Sequence, residues 1–103
     1  MLDLTEFNKL EAFLKENDIP YERKDRVSDE FLLQFERHMI FVPNEEHPSW
    51  DAVCSTGTYG AEKGLLEICG DIVEKDDDEG YFSEVEGYLT AEDVIERYRA
   101  MQN

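Results

Sequence analysis

Val85-Glu86-Gly87-Tyr88-Leu89-Thr90-Ala91-Glu92-Asp93-Val94-Ile95 decides the fold class of this chain. Its first part closes a run over residues 81–89 that reads as a final strand, with Tyr81 and Val85 as apolar positions. Its second part switches to helical spacing. Thr90 is placed to cap a helix, Asp93 follows three residues on, and Leu89 can staple onto Val94. Val94, Ile95, Tyr98 and Met101 then form the expected buried stripe, and Arg97 and Arg99 fall in the last turns, where the helix dipole favours cations. A strand that runs directly into a capped helix points to an α+β architecture.

The start of the chain supplies a matching helix. Leu4, Phe7, Leu10 and Phe13 or Leu14 recur at helical spacing. Asp3 and Glu6 have the spacing of a capping box, Leu2 and Phe7 that of a staple, and Asn17 that of a helix end. Ile19-Pro20-Tyr21 breaks the helix and opens an extended segment, with Pro20 suited to an edge strand. Residues 23–37 read two ways, as a short helix capped by Ser28 or as a packed loop. Met39 to Val42 reads as a strand stopped by Pro43, and Trp50 to Cys54 as a second, with Trp50, Ala52 and Cys54 on one face. Residues 65–73 fit a helix by spacing, but Gly64 and Gly70 favour a strand pair or a strand bulged at Gly70. Residues 76–80 read as a solvated turn. The expectation is one α+β domain over residues 1–103: a small antiparallel sheet of three to five strands packed with an N-terminal and a C-terminal helix.

The chain has 103 residues, 41% of them hydrophobic, enough to bury a core without metal or disulfide support. Its charge is the unusual property. Twenty-six Asp and Glu oppose ten Lys and Arg, for a formal net charge of -16. Direct binding to nucleic acid or to an anionic membrane is disfavoured, and a partner with a basic surface is favoured. The charge is densest between residues 62 and 96, where thirteen acidic residues face two basic ones. Glu74, Asp76, Asp77, Asp78, Glu79, Glu84 and Glu86 are the candidate binding residues: on one surface they would imitate a row of nucleic-acid phosphates. The start Met1-Leu2-Asp3-Leu4 has neither the basic residues nor the apolar run of a signal peptide, so a cytoplasmic protein with two reduced thiols, Cys54 and Cys69, is expected.

Catalytic, metal and cofactor motifs fail on spacing. Reading Gly80 as the sixth position of an EF-hand loop puts Glu86 correctly at the twelfth, but Lys75 at the first, where a carboxylate belongs. Cys54, Cys69, His38 and His47 lack the close pairing of structural zinc sites. Cys54 opens a loop through Ser55-Thr56-Gly57-Thr58, but a cysteine-dependent phosphatase needs arginine six residues on, where Gly60 stands. Gly57, Gly60 and Gly64 match neither phosphate-binding fingerprint. No catalytic residue, metal or cofactor is expected. An enzyme using Cys54 with His38 or His47 stays as an alternative.

Arg37-His38, Trp50-Asp51-Ala52-Val53-Cys54, Gly57-Thr58-Tyr59-Gly60, Gly64-Leu65-Leu66-Glu67 and the stretch from Val85 to Ile95 together resemble an uncharacterised family of small acidic proteins from phages and prophages of Gram-positive bacteria. The resemblance implies a setting in the cytoplasm of a bacterial host and a counter-defence role. The expected function is a non-catalytic module that docks on a host nucleic-acid-handling or defence protein, as an anti-CRISPR or anti-restriction inhibitor would. An oligomeric phage accessory or structural protein, including a homodimer, is the other reading.

Overall fold

The computed structural model describes residues 2–30, 33–73 and 85–102, apart from the side chains at 29, 30, 33 and 34. Helix α1 (Thr5–Glu16) leads into a meander of strands β1 (Glu22–Glu30), β2 (Leu33–Val42), β3 (Trp50–Ser55), β4 (Leu66–Gly70) and β5 (Val85–Leu89), and helix α2 (Ala91–Gln102) closes the described chain. The five strands pair antiparallel in chain order. The α+β expectation holds, with the sheet at its upper strand count.

Both helices pack on one face of the sheet. Phe7, Leu10 and Leu14 of α1 and Ala91 and Val94 of α2 are buried against Ile40, Val42, Trp50, Ala52, Cys54, Leu66 and Ile68. Trp50, Ala52 and Cys54 share that face, as alternation along β3 predicted. Burying these side chains removes each from water at roughly 25 cal/mol per Å2 of apolar area. No helix among the described residues lies over the opposite face, and Phe35 stays 42% exposed there.

Several local readings are corrected. Residues 23–30 and 33–37 form neither a helix nor a loop but paired antiparallel strands, in register from Glu22↔Phe41 to Glu30↔Leu33. β1 carries almost no apolar side chains, because an edge strand gains its ladder from β2 and needs only one covered face. Its inward residues, Arg23 and Asp25, are held by polar bonds to α1 and β2. Asp3 caps the backbone N–H and hydroxyl of Thr5, but Glu6 does not complete a capping box; its carboxylate accepts the Ala91 N–H at the start of α2, at 2.9 Å. Residues 66–70 form a single strand. The irregular pairing lies between Leu66 and Ile68 of β4 and their partners Leu89 and Glu86, not at Gly70. Gly70 is needed for another reason: a Cβ there would lie 2.5 Å from the Ser49 carbonyl oxygen. Val85 points to the face opposite the helices, and Met101, in the last turn of α2, is 37% exposed rather than buried. Residues 76–80 and Tyr81 lie outside the described residues.

Candidate functional site

Of the seven candidate acidic residues, Glu74, Asp76, Asp77, Asp78, Glu79 and Glu84 lie outside the described residues. Glu86 is described, and it is not free. Its carboxylate accepts two bonds from the Arg97 guanidinium, at 2.8 and 3.2 Å, which ties β5 to α2. This fork neutralises the charge locally and removes Glu86 from any open row of carboxylates.

The other acids divide by task. Asp3 and Asp93 cap helix starts, and hydrogen bonds from Thr5 and Thr90 hold both carboxyls below their ordinary range. Glu11 and Asp25 bind Arg23. Glu36 accepts the Leu2 N–H at 2.7 Å, which lowers its pKa. By contrast Glu16, Asp18, Glu62, Asp71, Glu92 and Glu96 are exposed, and their carboxylates make no hydrogen bond or ion pair among the described residues.

Cys54 and His38 are directly paired across β2 and β3, on the helix-covered face. They do not make a nucleophile and base. Cys54 is fully buried, and burial, then Glu36 and Asp3, push its thiol pKa up, where an activated cysteine needs it lowered. Both ring nitrogens of His38 face carboxylates instead: Nδ1 lies 2.6 Å from Asp25 and Nε2 3.3 Å from Glu36. With a carboxylate at each ring nitrogen, the trio is a closed polar tie inside the fold. His47 stands apart in the β2–β3 connection, 85% exposed. Neither Cys54 nor Cys69 is held in a disulfide. Among the described residues, no group of three or more His, Cys, Asp or Glu is placed to hold a metal ion, and no helix is long and apolar enough to cross a membrane.

The distinctive exposed feature is a pair of tyrosines. Tyr59, in the loop after β3, is 62% exposed; Tyr88, in β5, is 59% exposed. Their ring centroids are 6.1 Å apart, with the planes inclined by 32°. The Tyr88 N–H donates to the Tyr59 carbonyl at 3.4 Å, and Glu67 accepts the Tyr59 N–H at 2.9 Å. Gly87 makes this approach feasible, since a Cβ there would lie 2.6 Å from the Tyr59 Cβ. Tyr88 itself has φ 61°, a left-handed conformation that bulky residues avoid. Exposed carboxylates follow on the same two segments: Glu62 in the single turn Ala61–Lys63, and Glu92 in the first turn of α2.

Sequence reasoning missed this pair. The available signal was a tyrosine beside a glycine in two separate segments, Tyr59-Gly60 and Gly87-Tyr88. Nothing local showed that the irregular β4–β5 pairing would join them.

No family model, curated protein or solved structure matches this chain.

Proposed function

We propose that the chain is a non-catalytic protein-binding module that takes a protein with a basic, nucleic-acid-handling surface as its partner. Tyr59 and Tyr88 are its anchor, and the exposed carboxylates around them are its flank. The observation that carries this reading is Tyr88. A left-handed tyrosine costs about 1–2 kcal/mol, and a ring left mostly in water recovers little of that through burial. Strain kept at an exposed aromatic residue is characteristic of a contact site. Tyrosine is also enriched where interfaces concentrate their binding energy.

The net charge of -16 supports the kind of partner. It steers association toward basic surfaces and disfavours direct contact with phosphates. Counter-defence in a bacterial cytoplasm, by occupying the nucleic-acid groove of a nuclease, is the setting that fits. The six acidic residues at 74, 76–79 and 84 are assigned to the same basic partner on their charge.

The test is capture from a Gram-positive bacterial lysate on the immobilised chain, with elution by salt and by duplex DNA. A captured protein that duplex DNA displaces is expected. Tyr88→Asn, a residue type that accepts left-handed φ, should leave stability within about 1 kcal/mol of the parent while weakening capture at least tenfold. Neutralising Glu74, Asp76, Asp77, Asp78, Glu79 and Glu84 together should lower the salt sensitivity of binding. Undiminished capture by a folded Tyr88→Asn protein would overturn the proposal.

A further inference from the structure

The sheet face turned away from the helices carries the outward residues of all five strands. At its centre lie Phe35, Met39, Phe41 and Val53, which are partly exposed. Two shallow depressions of about 390 and 400 Å3 adjoin there, sharing Arg37 and Met39. The cations of this face lie on β1 and β2, where the carboxylates of Glu22 and Glu45 act on Lys24 and leave the two arginines unpaired. Arg26 and Arg37 are direct cross-strand partners on β1 and β2, and Lys24, paired with Glu45, is beside them on β1. Neither arginine has an ion-pair or hydrogen-bond partner among the described carboxylates; Arg37 donates only to the Met39 sulfur. On the other half, Asp51 of β3 and Glu67 of β4 share the outer face and repel each other.

Like charges set directly opposite on a sheet are unfavourable. Here two groupings of like charge, of opposite sign, lie on one partly apolar face; Arg37 draws the Asp51 carboxyl of its own chain down without forming an ion pair with it. Consider a two-fold axis in the plane of the interface that passes between Met39 and Val53 and crosses the line from Arg37 to Asp51. It sets the arginine pair of each copy over Asp51 of the other. It also closes the apolar centres on each other. We infer that this face docks a second copy of the same chain, as an isologous dimer in which each arginine pair finds its counter-ion in the other protomer. The two bodies carry -16 each, but three of the ten cations, Lys24, Arg26 and Arg37, lie on this face. At about 0.15 M salt, charges more than about 8 Å apart are largely screened. The dimer keeps the helix-covered sides pointing outward and does not depend on the partner-binding proposal above.

Equilibrium sedimentation at about 100 µM in physiological salt tests it. The parent chain is expected to be dimeric. Arg37→Glu and Asp51→Arg, each folded by circular dichroism, should each raise the dimer dissociation constant at least tenfold. In an isologous interface, mixing the two variants restores both contacts at once. The carboxylate introduced at position 37 of one protomer then faces the guanidinium introduced at position 51 of the other, while the unaltered Asp51 of the first faces the unaltered Arg37 of the second. An equimolar mixture should therefore recover the dimer that neither variant forms alone. A monomeric parent chain, a dimer indifferent to both charge reversals, or a mixture that stays monomeric would each overturn the inference.

Discussion

Asp51 is half-buried, and burial, then the neighbouring Glu67, push its carboxyl above the ordinary range while Arg37 pulls it down. A group that holds its proton more tightly when folded destabilises the fold once ionised. That penalty is complete above the folded pKa and absent below the unfolded value of about 4. In solution dilute enough to be monomeric, Asp51→Asn should therefore raise the thermal midpoint at about pH 7 and leave it unchanged near about pH 3. Calorimetry at the two pH values decides it, and a lower midpoint at neutral pH would contradict the assignment. Asp25, Glu36 and Asp93 have the opposite sign. Burial raises Asp25, but hydrogen bonds from Arg23 and His38 outweigh it, and backbone N–H groups hold Glu36 and Asp93 down. Their contribution is present above about pH 4 and is lost as pH falls through their depressed values. At this scale the sequence showed what is local. Thr90 and Asp93 lie three positions apart, so their mutual cap was readable. Asp25, Glu36 and His38 meet only because β1 and β2 pair, and no spacing rule reports that.

The start of α2 is the clearest single element. The Asp93 N–H donates to the Thr90 hydroxyl at 3.2 Å, and the Thr90 N–H donates to the Asp93 carboxylate at 3.0 Å. Thr90→Ala should cost about 1 kcal/mol by urea unfolding, the usual worth of such a cap. A loss below a few tenths would mean that the Glu6 contact to the Ala91 N–H holds the helix start alone. Elements with a buried stripe were legible: α1 and α2 by helical spacing, β3 by alternation. The start of β1 was readable as an extended edge segment after Pro20, but its length was not, because Glu22-Arg23-Lys24-Asp25-Arg26-Val27 alternates charge with charge and its one large apolar residue, Val27, is 66% exposed. The first half of β2 was hidden for a related reason. Glu36 and His38 occupy core-facing positions that sequence patterns reserve for apolar residues.

For the whole molecule, charge sets the response to solvent. With a net charge of -16, self-repulsion opposes compaction and salt relieves it. Raising sodium chloride from about 0.02 to 0.15 M should stabilise the monomer by about 1 kcal/mol, some 4–8 °C in midpoint for a domain of this size. A fall in midpoint would show that internal ion pairs such as Arg97 with Glu86 outweigh the repulsion. The acidity was legible from composition alone, whereas the division between carboxylates that cap or pair and those left in water was not. The exposed tyrosine pair was equally hidden, because strand pairing creates it. The two-sided construction also has an optical side. Trp50, the sole tryptophan, is 2% exposed on the helix-covered face, tilted against Tyr98 at 6.0 Å, and its indole N–H has no acceptor among the described residues. Its fluorescence therefore reports from a dry interior, and it shifts toward the red only when the helices leave the sheet. Association through the opposite face leaves that emission silent, so one sample can show, by colour and by mass, whether the chain has come apart or merely come away from its neighbour.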